Sequence, residues 1–414
     1  MRSGPDSRGS ESSGGREADG GAGRRARLTR RAVLGAGGAA VVALSLGAGA
    51  GTAAAASAEP GGEPQSGEAP FGPVTVTDAG SGAAYARAVQ LTAGRPDGSQ
   101  TFLATFQQFD PSKGGGFAIF RSDDGGRNWR PWSNVPAGGQ SGTIWLQPFL
   151  YELPRAFGGL PKGAVLCAGN SLDSSSTNIV LYASVDEGLT WQFLSTVAVG
   201  GPPIASNGNT PVWEPFLLLH RDRLLCYYSD QRDPDYGQKL AHQASADLRH
   251  WGEVVDDAVG DVYAERPGMI TVAQVHSSLW IMTYEYGVSD TYYPVRYKLA
   301  PDPESFGSAP ALELLDQDGY APSAAPTVAW SDSGGPNGTI VVSANSDQDF
   351  FLNRSLGDPA EWTRLSSPMP RGYSRYTVPL NTPGSWRRPG LVFVVTGAPY
   401  AEDAPIQAGV IQLD

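Results

Sequence analysis

The stretch SDDGGRNW, Ser122 to Trp129, returns as SVDEGLTW, Ser184 to Trp191, so the two share S-x-D-x-G-x-x-W. A shortened form, SADLRHW, runs from Ser245 to Trp251, and a looser one, SLGDPAEW, from Ser355 to Trp362. The tryptophans fall at 129, 191, 251 and 362, and Phe306 in PDPESFG stands midway through the last, double gap. A period of about 60 residues is close to that of a propeller blade, one sheet per repeat around an axis.

Between the motifs run short β-rich segments separated by Gly, Pro and Asp turns. YARAVQLT, TIWLQPFLY, WEPFLLL, MITVAQV, TVAWS and YTVPL each open a unit, which makes six. No helical period of comparable strength competes with them. The fold expected is therefore all-β, a six-bladed β-propeller over residues 72–414. The last unit ends at Asp414 without a fourth strand, and GPVTVTDA, Gly72 to Ala79, is expected to supply it and close the ring.

The repeated motif resembles the Asp box of sialidase-type propellers. Its physics is structural: Ser and Asp side chains bond backbone groups across a turn that Gly permits, and Trp packs between strands. It names an architecture and carries no chemistry.

The chain begins with a polar, basic stretch ending in LTRRAVLG, then an Ala/Gly-rich run to Ala56-Ser57-Ala58. That is the pattern of a twin-arginine export signal over 1–58, followed by a Gly/Pro/Glu linker over 59–71 and a secreted mature protein. Of the 30 basic and 42 acidic residues, the leader holds eight and four, leaving 22 and 38. A net charge near −16 argues against nucleic acid and anionic membrane as partners and fits a neutral ligand. Cys167 and Cys226 both lie in apolar runs, as one disulfide or two buried thiols. With four His in all and no Cys/His spacing, no zinc site and no cofactor are expected.

Two carboxylates interrupt apolar strands. Glu214 lies in WEPF at the start of the third unit, and Glu285 in IMTYEYG in the fourth. Such a charge costs several kcal/mol unless it is paired or functional. Arg266 in ERPGM is a candidate cation for them. Paired carboxylates fit glycoside cleavage, one protonating the leaving oxygen while the other attacks or activates water. Trp213, Tyr228, Tyr284 and Tyr286 would offer sugar-stacking faces, and Asp230 in YYSDQRD is a third acidic candidate that orients a partner.

The run WEPFLLLHRDRLLCYYSDQRDPDYGQKLAHQ, with ERPGMITVAQV, LWIMTYEYG and the earlier LQPFLYELP, resembles glycoside hydrolase family 93. The resemblance is densest from Trp213 to Gly287 and loose over the last two units. It implies an exo-acting α-1,5-L-arabinanase, a monomer on a six-bladed propeller, that releases arabinobiose from arabinan with retention. It also implies that Glu214 is the nucleophile and Glu285 the acid/base, with Arg266, Trp213, Tyr228, Asp230, Tyr284 and Gln147 around the sugar.

Glu214 is then tolerated because its strand faces a water-filled channel. A neighbouring cation or hydrogen bond is expected to keep it ionised, while a drier setting keeps Glu285 protonated. A retaining pair stands roughly 5–5.5 Å apart and an inverting one roughly 6.5–9.5 Å.

Three rivals stand beside this reading. A sialidase would grip a carboxylate with several arginines, for which Arg87, Arg266 and Arg375 are the candidates. A non-catalytic sugar-binding propeller would keep the aromatic residues and have no use for paired carboxylates. A five-bladed arabinanase-type propeller is opposed by the count of six.

Overall fold

The computed structural model describes residues 70–413, apart from 80–82, 95–99, 109–115, 137–143, 277, 290, 381–389 and 401. The export leader and nearly all of the linker expected from the sequence lie outside the described residues. Among the described residues no helix is long and apolar enough to cross a membrane.

Among the described residues twenty-four strands form six four-stranded antiparallel sheets. The first blade is β2 (Ala84–Gln90), β3 (Phe102–Gln107), β4 (Phe117–Ser122) and β5 (Arg130–Val135). The second is β6 (Ile144–Glu152), β7 (Val165–Leu172), β8 (Thr177–Ser184) and β9 (Gln192–Gly200). The third is β10 (Val212–His220), β11 (Arg223–Asp230), β12 (Lys239–Ser245) and β13 (Val255–Ala258). The fourth is β14 (Arg266–Val275), β15 (Leu279–Gly287), β16 (Val295–Ala300) and β17 (Leu312–Glu313). The fifth is β18 (Thr327–Ser331), β19 (Thr339–Ser343), β20 (Phe350–Asn353) and β21 (Trp362–Leu365). The sixth is β22 (Tyr376–Pro379), β23 (Leu391–Thr396), β24 (Ile406–Gln412) and, outermost, β1 (Phe71–Thr77).

The inner strands β2, β6, β10, β14, β18 and β22 each pack against the next, and β22 packs against β2. The six blades therefore close into a ring, a six-bladed β-propeller. Its seam is the pairing of β1 with β24, Phe71 opposite Val410 and Val74 opposite Ala408. The sixth blade thus gains the fourth strand that its own sequence lacks, and the edge of β24 is covered.

Each S-x-D-x-G-x-x-W turn joins the third strand of its blade to the fourth. In the first, Ser122 Oγ donates to Asp124 Oδ1 at 2.8 Å, and the Gly126 amide donates to Ser122 Oγ at 2.9 Å. Gly126 sits at φ +90°, and a Cβ there would lie 2.4 Å from Phe393 of the sixth blade, so glycine is required twice over.

The aromatic residue of these repeats packs between strands, as expected, and the strands it reaches include those of the preceding blade. Trp129 lies 6.2 Å from Phe393, and Trp191 Nε1 donates to Ser133 Oγ at 3.1 Å. Trp251 Nε1 donates to Ser195 Oγ at 3.0 Å, and Trp362 Nε1 to Tyr297 Oη at 3.3 Å. Phe306 is fully buried in one cluster with Tyr227 and Ala258 of the third blade. The repeat is thus a staple between blades, set at the rim and away from the axis. Cys167 and Cys226 sit in different blades as separate buried thiols.

Candidate active site

Each of the first four inner strands carries one extra residue near its start. The register steps between Ala84 and Arg87, Leu146 and Phe149, Trp213 and Phe216, and Gly268 and Thr271. Inside these bulges Tyr85, Gln147, Glu214 and Met269 adopt φ of +53°, +56°, +65° and +60°. Ala325 (+47°) and Ser374 (+56°) take the matching places just ahead of β18 and β22. A left-handed conformation costs a non-glycine residue of order 1–2 kcal/mol, and such strain clusters where a chain must aim a side chain. The strained residues form a ring of six, one per blade, and Glu214 is the acid among them.

Glu214 is 1% exposed, so the expectation that it looks onto open water does not hold. Hydrogen bonds hold it instead. Its Oε2 accepts from Ser229 Oγ at 2.7 Å and from the Met269 amide at 2.9 Å. Its Oε1 accepts from Gln147 Nε2 at 3.4 Å. The Glu214 amide in turn donates to Gln147 Oε1 and to Asn170 Oδ1, both at 3.1 Å, which fixes the bulge itself. Trp213 packs with Leu146, Leu172 and Ala205, and Phe216 packs tilted against Phe149, ring centroids 4.5 Å apart.

Glu285 comes to the same place from β15. It is 4% exposed and pairs in register with Gly268, the neighbour of the Met269 whose amide serves Glu214. Gly268 has no side chain to intrude, and a Cβ there would stand 3.4 Å from Glu285 Oε1. Glu285 Oε2 accepts from the Ala325 amide at 2.8 Å. The two carboxylates are thus separated by the Gly268–Met269 step of β14.

Burial pushes both carboxyls up, Glu214 to about 8 and Glu285 to about 7. For Glu214 the charge of Glu285 adds to burial, while Ser229, the Met269 amide and the charge of Arg266 pull the other way. For Glu285 the Ala325 amide and Arg266 oppose burial. The expectation of one ionised and one dry carboxyl is corrected here. Both are dry, and the charge of Arg266 favours the ionised form of both.

Arg266 opens β14 with its guanidinium in a polar net. It donates to Asn207 Oδ1, to Gln231 Oε1 at 3.2 Å and to Gln238 Oε1 at 2.6 Å. Trp213 Nε1 donates to the same Gln231 Oε1 at 3.0 Å. The structure therefore brings together Glu214, Glu285, Gln147, Trp213 and Arg266.

It does not bring Tyr228, Asp230 or Tyr284 to the carboxylates. Successive residues of a strand face opposite sides of a sheet, and Ser229 takes the side of Glu214. Tyr228 and Asp230 face the other way, where both bind Arg232: Asp230 in a two-pronged ion pair at 2.9 and 2.7 Å, Tyr228 through its hydroxyl at 2.9 Å. Tyr284, next to Glu285, likewise points to the crevice between the third and fourth blades.

Sequence reasoning missed Ser229, Asn170, Gln231, Gln238 and Asn207. Strand alternation was the available signal for Ser229, and the amides of Met269 and Ala325 have none.

The arginines of a carboxylate-gripping site do not meet. Arg87 donates to Ala86 O, Ser374 O and Ser374 Oγ, and Arg375 to Ser343 Oγ and the carbonyls of Gln348, Asp349, Met369 and Pro370.

No family model matches the chain, and no curated protein does. Solved structures do. The GH93 α-L-arabinofuranosidase of Fusarium graminearum with arabinobiose is 38% identical, over 83% of this chain and 98% of that one, with a TM-score of 0.76. The α-L-arabinanase of Penicillium chrysogenum with arabinobiose is 37% identical, over 83% and 99%, with a TM-score of 0.76. The NanB sialidase of Streptococcus pneumoniae, at 9% identity and a TM-score of 0.53, shares the fold alone. With buried paired carboxylates on a six-bladed propeller and these relatives along almost their whole length, the chain is a glycoside hydrolase and belongs to family 93.

Proposed function

We propose that the chain is a retaining, exo-acting arabinanase that releases arabinobiose from linear α-1,5-L-arabinan. The observation that carries this reading is the pair Glu214 and Glu285, both buried, both raised in pKa, and set one residue apart across β14. A double displacement needs one carboxylate and one carboxylic acid at once, and Ser229, the Met269 amide and Gln147 gather hydrogen bonds on Glu214 that favour its ionised form, where Glu285 accepts from the Ala325 amide. Relatives of known structure hold arabinobiose, which supports the sugar.

In the first step Glu214 attacks the anomeric carbon as the glycosidic bond breaks, and Glu285 gives its proton to the departing oxygen. A covalent arabinobiosyl ester of Glu214 results. Water then attacks the anomeric carbon, giving its proton to Glu285 as the bond to Glu214 breaks and the carboxylate departs, so that two inversions amount to retention. Ser229 and the Met269 amide stabilise the carboxylate form of Glu214, the form that attacks and the form that departs. Gln147 holds its second oxygen, and Arg266 offers charge at the same end of the site. The first 58 residues belong to this reading as a twin-arginine export leader that delivers the enzyme to an extracellular polymer.

Incubation of the chain from about Glu59 onward with linear arabino-oligosaccharides, products sized over time, tests the proposal. Disaccharide accumulating alone, and lost in both Glu214→Gln and Glu285→Gln, is the expected result. Single sugars or a ladder of lengths would refute the exo-disaccharide mode, and full activity in either variant would refute the pair.

A further inference from the structure

On the side of β15 opposite Glu285, a cavity of about 320 Å³ opens between the third and fourth blades. Tyr236, Asp261, Tyr284, Arg296 and Lys298 are among its lining residues. Its volume lies at the lower end of the range of ligand pockets, about 300–1,000 Å³.

Two of its polar groups are left without work. Tyr284 is 1% exposed, and among the described residues its hydroxyl has no hydrogen-bonding partner. Arg296 lies flat on the Tyr286 ring, 3.6 Å from its centroid, and among the described residues its guanidinium likewise has no hydrogen bond or ion pair. The Tyr284 hydroxyl and the half-buried Arg296 guanidinium thus keep donors for a ligand that enters the cavity. Tyr286 is different: its hydroxyl is already given to Glu265 Oε2 at 2.6 Å. So is Lys298, whose Nζ donates to Asp257 O at 2.8 Å and Phe306 O at 3.0 Å.

The remaining chemistry selects the kind of ligand. Asp256 and Asp261, both exposed, and the buried Asp257 set acceptors against the donors of Arg296 and Lys298, and their charges oppose an anion. Three acids face two cations in the lining, which leaves no unmet positive field for an anion. Donors and acceptors interleaved on aromatic walls fit a neutral polyhydroxylated ring.

We propose that this cavity is a second, non-catalytic carbohydrate-binding site, which takes a pentose unit of a polysaccharide strand. The identity of the sugar rests on the proposed arabinanase function. The loop from Asp261 to Glu265 separates this cavity from Arg266, so one loop borders both sites. A strand held at the cavity raises the local concentration of chain ends at the catalytic pair.

Calorimetric titration of the full chain with arabinobiose counts the sites directly. Two equivalents are expected in the wild type and one in Tyr284→Phe and in Arg296→Met. The same variants should keep the wild-type KM on arabinotriose, while KM on linear arabinan rises roughly tenfold or more as the tether is lost. Tyr284→Phe removes one oxygen, so a loss seen in it is not a loss of fold. One equivalent in the wild type would overturn the second site and leave the catalytic reading intact. Two equivalents retained in both variants would place the second sugar elsewhere and also overturn it. No binding of arabinobiose together with no cleavage of arabinotriose would overturn the site and the arabinanase reading alike.

Discussion

Ser229 Oγ donates to Glu214 Oε2 at 2.7 Å, from the strand that pairs with the bulge on which Glu214 sits. The bond favours the ionised carboxyl against a burial that disfavours it. A hydrogen bond to a charged group contributes about 1.5–3 kcal/mol. Ser229→Ala should therefore lower kcat roughly ten- to a hundredfold and move the acid limb of the pH profile upward, with little change in KM. An unchanged limb would mean that the serine only packs.

Glu285 links activity to stability with a definite sign. Its folded pKa, about 7, stands above the ordinary 4.5, so the fold holds this proton more tightly than the unfolded chain does. The stability it contributes is full below pH 4.5 and is lost as pH rises toward 7, at up to about 1.4 kcal/mol per unit. Glu285→Gln should then melt higher than the wild type at pH 8 and level with it at pH 4. A difference that ignores pH would contradict the raised value.

Asp186 shows what the repeated motif is for. It accepts from Ser184 Oγ at 2.7 Å, from the Thr190 amide at 2.9 Å and from Thr190 Oγ1 at 2.6 Å, at the rim of the second blade. Asp186→Ala should cost about 1–3 kcal/mol, seen as a Tm lower by a few degrees. The kcat of the folded protein should not move. A fall in kcat without a fall in Tm would place the motif in the site.

Asp230 separates the sequence reading from the structure. Its two-pronged pair with Arg232, at 2.9 and 2.7 Å, faces away from Glu214, and the carboxylate is 3% exposed. Asp230→Asn should reduce stability by about 1–3 kcal/mol, because the half-buried Arg232 loses its charged partner, and should leave KM unchanged. A KM raised tenfold at constant Tm would return Asp230 to the sugar.

The ring of blades was legible because its signals are local and repeated. Serine, aspartate and tryptophan mark the outer hairpins of four blades, with glycine in the two full motifs, and strand-length apolar runs fill the spaces between. Glu214, Glu285 and Arg266 were legible too, since a charge in an apolar strand stands out whatever the fold. What the residues conceal is direction. Tyr228, Asp230 and Tyr284 are neighbours of site residues in the chain, and strand alternation turns each of them to the opposite face. The bulges are hidden for another reason: Gln147, Glu214 and Met269 take positive φ without being glycine, so no residue type announces them. The upward shift of both carboxyls arises from burial, which exists only once six blades have closed.

The stereochemistry of the first product tests the central claim most directly. Proton NMR of the wild-type reaction on linear arabino-oligosaccharide, followed within minutes of mixing, reads the anomer before it equilibrates. Double displacement by Glu214 and Glu285 predicts α-arabinobiose first, with the β anomer growing in later by mutarotation. The β anomer appearing first would mean direct attack by water, and would remove the covalent ester on Glu214 from the mechanism.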